Sequence, residues 1–167
     1  MTYANNLNNR PGGVIPVIIK AGLLAGTLDI ALAFLYSYLK RGIHPATVLQ
    51  YISKFALGKT TFTNPTILTI TGLLVHFAIA MAWTNLFFIL YRRINLMRQS
   101  KIVTGMLYGL FVWAMMNVII LPLWNNRPFV FNPESSSINA VILIVAIGMP
   151  LSFIAHRYYS KKENSSA

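Results

Sequence analysis

The fold of this chain is set by long apolar runs, of which one is decisive: Gly22-Leu-Leu-Ala-Gly-Thr-Leu-Asp-Ile-Ala-Leu-Ala-Phe-Leu-Tyr36. It contains Asp29, one of only three acidic residues in the chain. A charge at the centre of a bilayer costs roughly 2.5–3.5 kcal/mol on insertion scales, and an intramembrane ionisable group often marks a functional site. Asp29 must therefore be buried against protein, neutralised by a proton, or paired.

The composition is that of an integral membrane protein. Of the 167 residues, 56% are hydrophobic and 10% are charged, whereas soluble domains carry about 25% charged residues. We therefore predict one integral membrane domain over residues 1–167. The chain has no cysteine, which excludes disulfides, thiolate nucleophiles and Cys-ligated metal sites.

Four runs are long enough to cross a hydrocarbon core of about 30 Å, which takes roughly 20 helical residues. They are continuous and do not alternate, which favours helices over a closed barrel. We predict an all-α membrane protein, an antiparallel bundle of four transmembrane helices. The predicted spans are 16–39, 66–91, 102–124 and 138–158.

The connection between the first two spans contains a further helix, predicted at 45–57. Pro45 suits a first helical turn and Gly58 suits a C-terminal cap. An apolar stripe includes Leu49, Ile52 and Phe55. The segment is too short to span, so we predict an amphipathic helix at the membrane interface. An ordinary connecting helix and a gate both remain open.

The Lys/Arg distribution predicts the orientation of the chain. Nine of the 14 basic residues lie on the side that holds both termini, and five lie on the other. Cytoplasmic loops carry the excess of Lys and Arg, so both termini are predicted to be cytoplasmic in a bacterial inner (plasma) membrane. The charges flank the apolar runs, which indicates anionic lipid headgroups as partners and no nucleic acid.

Small residues form two ridges that allow close helix packing, Gly22/Gly26 in the first span and Gly105/Gly109 in the third. Such spacing lets helix backbones approach in lipid. The ridges predict packing within the chain, with a homo-oligomer as the alternative. Their matching positions also suggest a duplicated two-helix unit.

Three polar residues form a candidate intramembrane site: Asp29, His76 and Asn117. At 1.5 Å per residue, Asp29 and His76 lie at similar depths, roughly 15–16 Å from the outer boundary. A structural hydrogen bond between helices would contribute roughly 0.6–2 kcal/mol. Alternatively the pair carries protons, because His titrates near neutrality and burial brings a carboxylic acid toward it.

No enzyme chemistry is indicated by the residue inventory. Metal-ligand clusters, phosphate loops, catalytic triads and paired carboxylates are missing from the sequence. Haem is not expected, because His76 is the only histidine at mid-span. We predict no catalytic residues, no metal and no cofactor, and an enzyme acting on lipids is the least favoured hypothesis.

Several segments between about residues 20 and 125 carry a family resemblance. They are Ala21-Gly-Leu-Leu-Ala-Gly-Thr-Leu-Asp29, Val48-Leu-Gln-Tyr-Ile-Ser53, Gly72-Leu-Leu-Val-His76, Gly105-Met-Leu-Tyr-Gly109, Met116-Asn117 and Leu121-Pro122. In these the chain resembles small uncharacterised bacterial inner-membrane proteins of the YagU type. The resemblance implies a four-helix inner-membrane protein without an established activity, and a link to acid tolerance.

Two functional hypotheses follow. The first is a structural or partner-binding membrane component, oligomeric through the glycine ridges. The alternative is a small transporter or a proton- or ion-handling protein that uses an Asp29–His76 pair. The second hypothesis requires a cavity at mid-depth, whereas a sealed apolar bundle around Asp29 would contradict it.

Overall fold

The computed structural model describes residues 13–58, 64–125 and 132–164, and these residues form helices and no strands. In chain order the helices are α1 (Val14–Arg41), α2 (Pro45–Leu57), α3 (Pro65–Arg93), α4 (Lys101–Ala114), α5 (Leu121–Asn125), α6 (Pro133–Leu143) and α7 (Met149–Asn164). A 3₁₀ turn, Asn95–Arg98, follows α3. Two π-helical segments join α4 to α5 and α6 to α7, so that each pair forms one long helix.

Four helices are long and apolar enough to cross a membrane: Val14–Arg41, Pro65–Arg93, Lys101–Leu123 and Pro133–Lys161. The predicted bundle of four helices, with a short helix between the first two, is confirmed. We call the end with the start of α1, the 94–100 turn and the end of α7 the turn side. The opposite end, with α2 and the start of α6, is the α2 side.

The fourth span begins at Pro133, five residues before the predicted position. Asn132 caps the helix, because its side-chain oxygen accepts a hydrogen bond from the Ser135 backbone N–H at 3.1 Å. Pro133 fits the first helical position, where no N–H is needed. The residues that follow Pro133 are polar, so the prediction from hydropathy placed the start of the span too late. Hydropathy detects the apolar part of a helix and not its cap.

The glycine ridge of α1 lies against α3. A Cβ at Gly26 would meet the Phe77 ring at 3.0 Å and the Ala80 Cβ at 3.1 Å, and a Cβ at Gly22 would meet Met81. The two helices are antiparallel, because the earlier glycine faces the later residue of α3. The two glycines let the helices approach closely, since a side chain at Gly26 would press on Phe77 and Ala80 and one at Gly22 would displace the flexible Met81 side chain.

The glycine ridge of α4 lies against the fourth span in the same manner. A Cβ at Gly105 would meet the Gly148 carbonyl oxygen at 3.1 Å, and a Cβ at Gly109 would overlap the backbone of Ile144. Each ridge therefore packs on the span that follows it, as a duplicated two-helix unit would. Both ridges are occupied inside one chain, which favours intramolecular packing over an oligomer formed through them.

Two prolines explain the π-helical segments. Proline has no N–H and its ring clashes with the carbonyl four residues earlier. For Pro122 that carbonyl belongs to Val118, and for Pro150 it belongs to Ala146. Both carbonyls lie in the π segments, Met115–Ile120 and Ile144–Gly148. The wider π turn relieves the clash and shifts the side chains of that turn around the helix axis.

Helix α2 packs mainly against α3. The contact depends on Gly72, where a Cβ would overlap the carbonyl oxygen of Leu49. Gln50 adds a hydrogen bond from its amide nitrogen to the Thr69 hydroxyl at 3.3 Å. Gly42 and Gly58 flank α2 with φ of 62° and 73°, a conformation in which glycine avoids the strain of a side chain.

Different interactions hold the helices together at the two ends of the bundle. On the α2 side, Lys40 and Glu134 form an ion pair between α1 and α6. On the turn side, the buried rings of Phe87, Tyr91 and Tyr108 form the core, and the Phe87 and Tyr108 centroids lie 4.7 Å apart. Aromatic packing therefore closes the turn side, whereas polar contacts at the surface join the helices on the α2 side.

We expect Gly72→Ala to lower the free energy of unfolding by about 1–3 kcal/mol, because the added methyl group overpacks against a backbone carbonyl. Gly22→Ala is the matched control, since its methyl group meets the flexible Met81 side chain. Unfolding of both variants in detergent would be followed by circular dichroism. Equal losses, or none at Gly72, would contradict the close contact between α2 and α3.

Candidate functional site

A cavity of about 220 Å³ lies in the bundle between α2 and the spans, and we call it the central cavity. Asp29 from α1 and His76 from α3 lie on its wall, as do three aromatic residues, Tyr51 and Phe55 from α2 and Trp83 from α3. The cavity thus brings the only carboxylate of the first apolar run together with an imidazole and several rings. This combination makes it the candidate functional site.

The third and fourth spans supply the remaining wall through their π-helical segments. Met116 lies in the first of these segments and Ile147 in the second, and both line the central cavity. Leu121, which follows the first segment, also lines it. The prolines therefore act on the site indirectly, because the π turns that they induce set which apolar side chains face Asp29.

Asp29 is half-buried and makes no hydrogen bond or ion pair with the described residues. It lies 11 residues before Lys40, which places it roughly 16 Å along the helix from that end. The described part of the chain therefore does not supply a counterion in contact with this carboxylate. The nearest titratable side chain on the same cavity wall is the imidazole of His76.

His76 is buried and connects two helices. Its Nε2 lies 2.9 Å from the carbonyl oxygen of Gly26 in α1. A carbonyl can only accept, so Nε2 carries a proton and donates it. The hydrogen bond fixes the ring, and Nδ1 is left as the nitrogen that can take up a second proton. Asp29 and His76 thus share a cavity, but no direct hydrogen bond joins them.

Asn117, the third predicted site residue, does not line the central cavity. Its amide nitrogen donates to the backbone carbonyl of Trp113 in its own helix at 3.0 Å. The neighbouring Met116 faces the cavity in its place. Of the three predicted polar residues, Asp29 and His76 therefore line the same cavity. The four predicted glycines lie at the contacts between neighbouring spans.

The central cavity is closed toward the turn side. One helical turn beyond its lining, each span presents a side chain that is at most 1% exposed: Ala25, Phe87, Val112 and Leu151. These four residues form an apolar layer across the bundle, which we call the seal. Beside it, the Tyr108 hydroxyl donates to the Trp83 carbonyl oxygen at 2.6 Å and joins α3 to α4.

Toward the α2 side the cavity reaches the protein surface. Tyr51, which belongs to its wall, is 60% exposed. Tyr51, Ile52 and Phe55 of α2 form this part of the lining. The wall of the cavity thus includes an exposed residue on the α2 side, whereas the seal lies on the turn side.

A second groove, of about 410 Å³, runs between α3 and α4 on the turn side. Its wall is mostly apolar and includes Leu107 and Phe111, and none of its lining residues is charged. Its lining contains no carboxylate and no imidazole, so it is not the candidate site.

The aromatic part of the site was not predicted from the sequence. Phe55 was placed on the apolar stripe of α2, but nothing in the sequence indicated that this stripe would face Asp29. Trp83 lies two helical turns after His76, so that the two share a face of α3, and this spacing is the signal that could have found it.

No family model, curated protein or solved structure significantly matches this chain. The resemblance to proteins of the YagU type, and the link to acid tolerance that it implies, therefore stay predictions. The functional argument rests on the geometry of the central cavity.

We expect His76→Leu to lower the free energy of unfolding by roughly 0.6–2 kcal/mol, the range for hydrogen bonds between membrane helices. His76→Gln keeps a side-chain N–H at a comparable reach and should recover part of the loss. Unfolding in mixed detergent micelles would be followed by tryptophan fluorescence. Equal losses in the two variants would show that the hydrogen bond to Gly26 does not stabilise the pair of helices.

Proposed function

We propose that this multi-pass membrane protein is a small transporter or ion-handling protein that takes up a proton or a small cation at Asp29. One observation carries the proposal: the Asp29 carboxylate lines a cavity of about 220 Å³ without a hydrogen bond or ion pair to the described residues. A sealed apolar bundle around Asp29, which would have contradicted such a function, is not what surrounds it.

Charge balance explains why a cation is expected. An ionised carboxylate inside a membrane bundle is costly unless it is compensated. His76 can compensate Asp29 only after Nδ1 takes up a proton. The cavity is therefore neutral in three states, with a proton on Asp29, a proton on His76, or an added cation. In each state one positive charge has entered from solution.

The access to the cavity supports transport. A transporter must open a site to one side of the membrane while the other side is closed. Here the wall residue Tyr51 is exposed on the α2 side, and the seal lies one turn beyond the lining on the turn side. Uptake on the opposite side would require the seal to separate, and its four apolar side chains carry no ion pair that would oppose this.

The other hypothesis, a structural or partner-binding component, receives less support. Its main sequence feature was the pair of glycine ridges, and both ridges pack inside the chain. A homo-oligomer and its interface stay predictions. An enzymatic role has no observation in its favour.

We further propose that the turn side faces the cytoplasm of a bacterial plasma membrane. This orientation is supported by the basic residues, of which nine lie on the turn side and five on the α2 side. Arg10, Lys59 and Arg127, which contribute to these numbers, lie outside the described residues. In this orientation the central cavity opens toward the outer half of the membrane.

In proteoliposomes we expect the native protein to relax an imposed pH gradient and Asp29→Asn to lose this activity, because the amide cannot exchange a proton. Glu134→Gln is the control, since Glu134 is the other acidic side chain that the structure describes and it lies outside the cavity. Flux would be read from a pH-sensitive dye inside the vesicles. Equal fluxes from native and Asp29→Asn vesicles would overturn the proposal.

The orientation is testable because the chain has no cysteine. Gln99 in the turn and Ala46 in α2 are both exposed. In intact spheroplasts we expect Ala46→Cys to react with a membrane-impermeant maleimide, and Gln99→Cys to react only after lysis. The reverse pattern would place the turn side outside.

A further inference from the structure

We propose that the central cavity binds a small organic cation, whose charge lies at Asp29 and whose apolar surface packs on the aromatic wall formed by Tyr51, Phe55 and Trp83. This inference rests on the proposed function, in which Asp29 takes up a positive charge. It adds the chemical class of the ligand, which no comparison with known proteins supplies.

The size of the cavity favours an organic ligand over a bare ion. An apolar cavity of about 150 Å³ is large enough to hold benzene. The central cavity, at about 220 Å³, is larger. A single dehydrated metal ion would leave most of this space without contacts, whereas a cation with one ring and a few methyl groups would fill it.

The chemistry of the wall supports the same conclusion. Inorganic cations such as Ca²⁺ and Mg²⁺ take about six or more oxygen ligands. The side chains lining the cavity offer one carboxylate, that of Asp29, and one hydroxyl, that of Tyr51. Every other lining side chain is apolar, apart from the imidazole of His76 and the indole of Trp83.

An aromatic wall is suited to an alkylated ammonium group. A cation within about 6 Å of a ring centroid is attracted by the ring face, most strongly by that of tryptophan, and desolvated contacts contribute the most. Tyr51 and Phe55 come from α2 and Trp83 comes from α3, so the rings line the cavity from two helices. The carboxylate of Asp29 thus attracts the charge of an organic cation, and the rings contact both its charge and its apolar surface.

Charge balance predicts exchange with a proton. The titratable groups that line the cavity are Asp29, His76 and Tyr51. When a cation enters the neutral cavity, the proton held by Asp29 or by His76 leaves, and the total charge is unchanged. Binding should therefore release about one proton for each cation, because each neutral state holds one positive charge from solution.

The test is calorimetric titration of the full chain in lipid nanodiscs with benzyltrimethylammonium, repeated in two buffers of different ionisation enthalpy. The difference between the two enthalpies gives the number of protons released. We expect saturable binding with about one proton released, and no comparable binding of benzyl alcohol, which has the ring without the charge. Sodium chloride at the same concentration serves as the inorganic cation.

Variants assign the binding to the cavity. We expect Trp83→Leu to weaken binding by roughly 5–30-fold, the equivalent of one desolvated cation–π contact. Trp83→Phe retains an aromatic ring, so its affinity should fall less than that of Trp83→Leu. Trp113→Leu is the matched control, since Trp113 does not line the central cavity, and it should bind as the native protein does. Asp29→Asn should lose both the binding and the proton release.

The outcomes separate the two proposals. If Asp29-dependent proton flux persists but benzyltrimethylammonium binds no better than benzyl alcohol, the ligand class is wrong and the proposed function stands. Equal affinity in Trp83→Leu and native protein would also refute the aromatic wall. If Asp29→Asn retains native proton flux and also binds the cation with proton release, both proposals are wrong.

Discussion

The close approach of α1 to α3 is the contact on which the rest of the site depends. Gly22 and Gly26 allow the two backbones to meet, and the 2.9 Å hydrogen bond from His76 to the Gly26 carbonyl forms at this contact. Since the ring donates through Nε2, its other nitrogen stays available for a proton. Asp29 lies one turn beyond Gly26 and is carried to the same cavity. A side chain at Gly26 would press on Phe77 and Ala80, beside the histidine and its acceptor.

The part of the cavity wall formed by the third and fourth spans is shaped by proline. Prolines in the third and fourth spans cannot complete a regular helix, and π turns precede both of them. These turns present Met116 and Ile147 to the cavity. One turn farther from Asp29, regular packing returns and the four-residue seal is fully buried. The bundle is therefore loosely packed around the carboxylate and tightly packed at the seal, on the turn side of it.

Electrostatics connects this architecture to function. In water the charge of Asp29 would need no partner, but in a membrane bundle it requires one positive charge close by. The described residues provide none in contact, and His76 provides one only by taking up a proton. This charge requirement is the reason for proposing that the cavity takes up a proton or a cation from solution. Its rings add a reason for that cation to be organic.

The sequence alone determined the four spans and the short helix at 45–57, and it predicts similar depths for Asp29 and His76. Hydrophobic length fixes where a helix lies in the bilayer, and helical rise converts residue number into depth. Capping explains the one clear difference, since Asn132 begins the fourth span within a polar stretch. These properties follow from each segment separately.

Only the tertiary structure decided which side chains meet. Rotation of a helix about its axis is weakly specified in these apolar sequences, because lipid is as favourable a neighbour for Leu or Ile as another helix is. Asn117 was therefore grouped with Asp29 and His76 in the candidate site, yet it donates to its own helix. Tyr51 and Phe55 join Asp29 because Gly72 allows α2 to pack against α3, where Trp83 lies. The sequence predicts how deep each polar side chain lies along its span. Which side chains line the same cavity depends on the close contacts at the glycines and on the π turns before the prolines.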